Sequence, residues 1–179
     1  MTAGDDTTTP AARLRLLQAE FLQPGPGERA ERVTTSTTPA APIRLSVYEH
    51  IRASVEEAAE HTRAAAPDAA PRPRGLDELY GWMVAETAHL DAERQQARDA
   101  LIYRQGLEHA ILMGEESVIR RHACPGCATW SLFWRPERRA AVCVNRYCAD
   151  DDGVSTYWTL AQIAKEYIAR QAVSARRAT

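Results

Sequence analysis

Apolar residues recur at spacings of three and four along several stretches of this chain, and each stretch is bounded by proline, glycine or small polar residues. Thr9-Pro10 offers an N-cap followed by proline at the first helical position. From Pro10 to Leu22, the residues Leu14, Leu17, Phe21 and Leu22 share a stripe opposite Arg13, Arg15 and Glu20. So short an amphipathic helix is marginal alone in water, so this arm has to dock, on its own domain or on a neighbour. Residues 1–9 are small and polar and predict disorder, and residues 23–42, rich in Thr, Pro and Ala, predict a flexible linker.

Helical periodicity resumes in residues 43–114. Ser46 and Glu49 have capping-box spacing, and Val47, Ile51, Val55, Ala58 and Thr62 repeat behind them, which predicts a helix from about Val47 to Ala65. A further helical tract runs from Asp77 to Met113, with Leu79, Tyr80, Met83, Val84, Ala97, Leu101, Leu107 and Ile111 facing inward. Its apolar phase slips at His89-Leu90-Asp91, which predicts a break. The polar run Asp91 to Arg98 would project into solvent or pair with another chain. The expected result is a helical hairpin domain, with homo-oligomerisation open.

After His122 the pattern changes. Thr129 to Trp134 alternates and is rich in strand formers, Arg135-Pro-Glu-Arg138 turns the chain, and Arg139 to Val144 runs back. All four cysteines lie here, as Cys124-x2-Cys127, fifteen residues, then Cys143-x4-Cys148. Two closely spaced pairs on tight turns can set four thiolates at the corners of a tetrahedron around one structural Zn2+ per chain. In Cys124-Pro-Gly-Cys127, proline fixes a backbone angle, glycine relieves crowding, and turn amides can point at sulfur. A redox Cys-x-x-Cys would need an alternating strand and helix pattern that is lacking here. His122 is a bystander if four sulfurs complete the shell, and a full shell leaves no open position for catalysis. Val154 to Trp158 supplies a candidate third strand, so residues 115–158 are expected to form a zinc ribbon. The fold class expected is α+β: helical hairpin, small three-stranded ribbon, C-terminal helix.

The segment resembles the zinc-ribbon class, including small ribbons appended to some topoisomerases, whose first turn also begins Cys-Pro-x-Cys, and small ribbons of uncharacterised actinobacterial phage or mobile-element proteins. The resemblance covers about 35 residues and implies fold and metal, not activity. Ala128 stands where such ribbons usually carry glycine, and the second cysteine gap is wider than the usual two residues.

Composition adds compartment and class. The 179 residues are 45% hydrophobic and 26% charged, with no apolar run near the length of a membrane helix and no signal-peptide pattern, so a cytoplasmic protein away from membranes is expected. In that reducing setting clustered cysteines indicate metal rather than disulfides. Arg outnumbers Lys 21 to 1 and Ala reaches 32, as a GC-rich bacterial or phage gene would give. Net charge is -2 overall, but residues 115–179 hold ten basic and seven acidic side chains, against twelve and seventeen before them. Four thiolates and a zinc would take two charges back, leaving a local basic patch rather than a strongly basic module.

Candidate contact residues follow from that patch. Trp130, Phe133, Trp134, Tyr147, Tyr157 and Trp158 either build the ribbon's core or stack on bases. Arg135, Arg138, Arg139 and Arg146 run along the hairpin. Thr159 caps a helix with Leu160, Ile163, Ala164, Tyr167 and Ile168 on one face. The tail over residues 159–179 also resembles a helix-turn-helix, which would put Arg170, Gln171, Ser174, Arg176 and Arg177 on DNA. No helix breaker lies between Thr159 and Arg177, which favours one continuous helix. Nucleotide-binding loops, hydrolase elbows and zinc-protease motifs are absent, and Glu86-x-x-His89 occurs once where a di-iron bundle needs two copies. A non-enzymatic zinc protein contacting nucleic acid or a protein through ribbon and tail is expected. The alternative is an oligomeric phage or mobile-element component in which zinc only rigidifies and the arm seats on a neighbour.

Overall fold

The computed structural model describes residues 9–21, 45–149 and 152–177; the expected disorder of 1–8, the linker of 23–42 and the acidic turn at Asp150-Asp151 lie outside them. Five α-helices and three short strands are present among the described residues: α1 Pro10–Phe21, α2 Leu45–Ala65, α3 Leu79–Glu86, α4 Ala92–Leu112, β1 Leu132–Arg135, β2 Ala140–Cys143, β3 Tyr157–Trp158 and α5 Leu160–Arg177. The strands form one antiparallel sheet in the order β1-β2-β3. The chain is therefore α+β, with the sheet confined to the cysteine segment.

The arm α1 docks on its own chain. Thr9 caps it, its Oγ1 accepting from the Ala12 amide at 3.1 Å. Leu14 and Leu17 are fully buried beside Val47, Ile51, Leu79 and Met83. The close approach to α4 depends on Gly106, where a Cβ would come within 2.9 Å of the Pro10 ring. Arg13 pairs with Glu115 at 3.4 Å and Arg15 with Asp77 at 2.9 Å. Of the two docking sites the sequence allows, Leu14 and Leu17 thus take the one on their own domain.

Helix α2 begins at Leu45, ahead of the expected Val47, so Ser46 sits inside the first turn rather than before it. The long helical tract does break where its apolar phase slips. Helix α3 ends at Glu86 and α4 starts at Ala92, capped by Asp91, whose Oδ1 accepts from the Arg94 amide at 2.9 Å. Most of the polar run at the start of α4 faces solvent, with Asp91, Ala92, Glu93, Arg94 and Ala97 exposed, while two of its members turn back to the chain. Gln95 donates to the Ala88 and Leu90 carbonyls at 2.9 and 2.7 Å, and buried Arg98 donates to Thr87 Oγ1 at 3.0 Å. Gln95 thus satisfies carbonyls that the helix break leaves open, and Arg98 ties the break through the Thr87 hydroxyl.

Burial on α3 and α4 consequently differs from the apolar pattern. Val84 is 42% exposed and Ala97 is exposed, while Arg98, Gln105 and His109 are buried. Gln105 is held by Tyr80, which donates to its Oε1 at 2.7 Å, and it donates to the Ser54 carbonyl at 3.0 Å. Arg98 and Gln105 are thus buried with partners and cost little, whereas both ring nitrogens of His109 are buried without a hydrogen-bond partner.

A second core joins the end of α4 to the cysteine segment and α5. Leu107, Ile119, Leu132, Ala141, Leu160 and Ile163 pack together with Cys124 and Cys143. The expected boundaries near 114 and 158 therefore run through one shared core. Helix α5 is uninterrupted from Leu160 to Arg177, which corrects the helix-turn-helix resemblance. Its start is a full capping box: Thr159 Oγ1 accepts from the Gln162 amide at 3.2 Å, and Gln162 Oε1 accepts from the Thr159 amide at 2.8 Å.

Candidate metal centre

The two cysteine pairs meet at the open end of the hairpin. The Leu132–Cys143 register places Cys143 at the last position of β2, opposite the first residue of β1. Cys124 and Cys127 arrive on the preceding turn, closed by the Ala128 amide donating to the Cys124 carbonyl at 2.9 Å and the Cys124 amide to the Thr129 carbonyl at 2.8 Å. Two features of this turn follow from its sequence. A Cβ on Gly126 would lie 3.0 Å from the Trp158 ring and 3.3 Å from Cys148 Sγ, so glycine is needed for room. Ala128 has φ 60°, the left-handed region, which explains why glycine is usual there. The wider second turn is held by Asn145, whose carbonyl accepts from the Cys148 amide at 2.8 Å.

The four sulfurs lie within 4.8 Å of one another and form no disulfide. Cys124 and Cys148 Sγ are 3.8 Å apart, and Cys127 and Cys143 Sγ 3.7 Å. A tetrahedron of sulfurs about 2.3 Å from its centre has edges of about 3.8 Å. The quartet thus has the dimensions of a four-thiolate metal site, and Cys124 and Cys143 are fully buried. Among the described residues this is the one group of His, Cys, Asp and Glu side chains close enough to hold an ion. The donor set fits a thiophilic divalent metal.

Electrostatics point the same way. Burial, then the neighbouring sulfurs, push the Cys148 thiol up to about 12, and burial raises Cys124 against the pull of the Cys127 and Gly126 amides. Cys127 is lowered to about 5, chiefly by hydrogen bonding from the Thr129 side chain and then its amide. The Ser131 hydroxyl lies 3.0 Å from Cys143 Sγ. Four crowded thiolates without a cation would repel one another, and a bound divalent ion removes that cost.

His122 is not part of the quartet. It is buried, its Nε2 2.7 Å from Tyr103 Oη and its Nδ1 3.0 Å from the Val118 carbonyl. Tyr103 stacks on Tyr167 with ring centres 4.2 Å apart, and His122 meets both rings edge-on. This cluster fastens the cysteine turn to α4 and α5. A regular helical or strand period carries no trace of it, because its members come from three elements. Glu86 of the Glu-x-x-His motif is likewise spent locally, accepting from the Ala70 amide at 3.0 Å.

The candidate contact residues separate into groups. Trp130 is 72% exposed and lines a cleft of about 350 Å³ between the cysteine segment and α5, together with Arg121, Tyr167, Arg170, Gln171 and Ser174. Trp134 instead packs against the shared core, as does Trp158. Arg135, Arg138 and Arg139 are exposed at the far hairpin turn, Arg138 lying 4.7 Å over the Tyr157 ring. Arg146 lies 4.7 Å over Tyr147, which is 80% exposed. Arg176 and Arg177 extend beyond the cleft at the end of α5. Arg121 was not singled out by the sequence pattern, because it reaches the cleft through the Glu116–Arg121 3-10 turn.

No protein-family model, curated protein or solved structure matches this chain.

Proposed function

We propose that this chain is a non-enzymatic binding protein in which one structural Zn2+ holds the cysteine segment against α5 and so builds the cleft beside Trp130. The observation that carries this reading is the thiol quartet of Cys124, Cys127, Cys143 and Cys148, with its tetrahedral spacing and two fully buried members. Zinc is favoured because an all-sulfur, four-coordinate shell is its usual structural site and leaves no position for substrate or water. Free thiols kept close together also suit a reducing, cytoplasmic setting.

The cleft's groups support binding rather than catalysis. His122, a candidate base by type, is occupied by Tyr103 and the Val118 carbonyl. Glu166 is paired with Arg170 at 2.7 Å. What remains toward solvent is a flat indole, guanidinium groups, an amide and a hydroxyl, a set that recognises a partner without transforming it. Metal and cleft are joined directly, since Arg170 donates to the carbonyl of Cys124 at 3.4 Å.

The test is elemental analysis of reduced, freshly purified full-length protein, alongside the absorption spectrum of the cobalt-substituted form. About one zinc per chain and a tetrahedral tetrathiolate spectrum are expected. Well below one metal per chain, with four thiols freely reactive in folded protein, would contradict the reading.

A further inference from the structure

Resting on the binding function proposed above, we infer that the cleft between the cysteine segment and α5 receives a single-stranded nucleic acid, with a base stacked on Trp130 and flanking phosphates on Arg121 and Arg170. Trp130 carries most of its ring to solvent, whereas Trp134 and Trp158 are drawn into the core. An exposed indole of this size contributes nothing to packing. Its flat face is what a base can stack on, whatever that base's identity.

Charge around the ring agrees. The cleft is lined by Arg121 and Arg170 against the single carboxylate Glu166, which Arg170 already engages. Ser174 stands on the same helical stripe as Arg170, four residues on, Arg177 continues that stripe, and Gln171 lines the cleft beside it. From Trp130 the track therefore passes onto α5 as cationic Arg170, polar Ser174 and cationic Arg177. A backbone with one phosphate per nucleotide matches that alternation, while amide and hydroxyl groups suit base edges.

A duplex fits less well. Base stacking on Trp130 needs an unpaired base, and α5 is laid along α4 with its cleft face turned toward the cysteine segment rather than outward for a groove. An apolar peptide would leave Arg121 and the Gln171 and Ser174 side chains without partners. The small positive balance of residues 115–179 predicts modest, salt-sensitive affinity.

The experiment titrates full-length, zinc-loaded protein into labelled twelve-nucleotide oligo-dT and oligo-U strands, and into a duplex of equal length, at several salt concentrations. Single strands are expected to bind more tightly than duplex and to quench the exposed tryptophan. Trp130→Ala should weaken binding by about tenfold or more, and Trp130→Phe should restore most of it. Arg121→Ala should flatten the salt slope by about 0.7, the value of one phosphate on a single strand. Tyr147→Ala, an exposed aromatic outside the cleft, should bind as the parent does. Duplex preference, Trp130→Ala binding at parent strength, or Tyr147→Ala losing as much as Trp130→Ala would overturn the inference. So would Trp130-dependent binding of a peptide array without oligonucleotide binding, which would assign the cleft to a protein partner. Zinc content measured on the same samples separates the two claims: a metal-dependent fold that binds no strand sinks only this inference, and a cysteine segment folded without metal sinks the function beneath it.

Discussion

The two cores of this molecule share helix α4 and differ in what holds them. Against the α4 face that carries Leu101, Ile102 and Leu112, the residues Leu14, Leu17, Val47, Ile51, Leu79 and Met83 bury long apolar side chains between helices of eight to 21 residues. On the face that carries Tyr103, Leu107 and Ala110, the second core adds strands of four, four and two residues. Strands that short do not persist on their own. Two of that core's buried members, Cys124 and Cys143, also belong to the thiol quartet. The helical half is thus held by apolar burial, worth about 1.5–3 kcal/mol for each large side chain, and the proposed ion would hold the ribbon half, its binding energy being folding energy. Helices can be built from pattern alone; a ribbon with so little apolar surface needs a covalent or ionic fastener.

That contrast predicts which changes damage which half. The largest effect is expected from Cys143→Ser, which removes a fully buried ligand: zinc content should fall to near zero and protease cleavage should appear in residues 124–158, while far-UV circular dichroism retains most of its helical signal. Retention of metal and protease resistance would erase the distinction.

Acid should strike the helical half through His109. Burial, then the charge of His50 facing it from α2, hold His109 down to about 3, and Arg13 and Arg104 add to the effect. The unfolded chain binds a proton at that histidine below about 6.5 and the folded chain does not. Stability should therefore fall as pH drops from about 6.5 toward 3, by up to about 4–5 kcal/mol, and rise again in the opposite direction. Metal loss also contributes in acid, so the measurement is the difference between parent and His109→Leu in urea unfolding at each pH. A constant difference across that window would refute the role of His109.

Leu17→Ala tests the docked arm. Deleting this fully buried side chain should cost about 2–5 kcal/mol in urea unfolding and leave zinc stoichiometry at the parent value. A change within about 0.5 kcal/mol would mean that α1 is not seated on α2 and α4 in solution. The smallest effect expected is a gain. Ala128→Gly relieves a left-handed alanine at φ 60° and should raise the ribbon's stability by about 0.5–1 kcal/mol, read as slower loss of metal to a chelator. Faster loss would show that the backbone there is not strained.

Much of this arrangement was legible before any coordinates. The slip at His89-Leu90-Asp91 marks the break between α3 and α4 because Asp91 is also a good cap, so pattern and chemistry agree at one place. The cysteine quartet is readable because metal geometry constrains spacing along the chain. Buried Arg98, Gln105 and His109 were not, since a polar residue counts as outward until its partners are known, and Thr87, Tyr80 and Ser54 are distant in sequence. The exposure of Trp130 was hidden for a related reason. Strand β1 starts only at Leu132, so the alternation expected over Thr129 to Trp134 does not extend back to Trp130. The cleft, which joins a 3-10 turn, a loop and a helix, has no period at all.

Hydrogen exchange on the full chain, with and without a strong chelator, addresses the division of labour most directly. Amides of residues 132–143 and 157–158 are expected to lose protection on chelation while those of α2 and the first half of α4 keep theirs. Equal protection of the ribbon amides in both conditions, on protein shown to have lost its metal, would contradict the account.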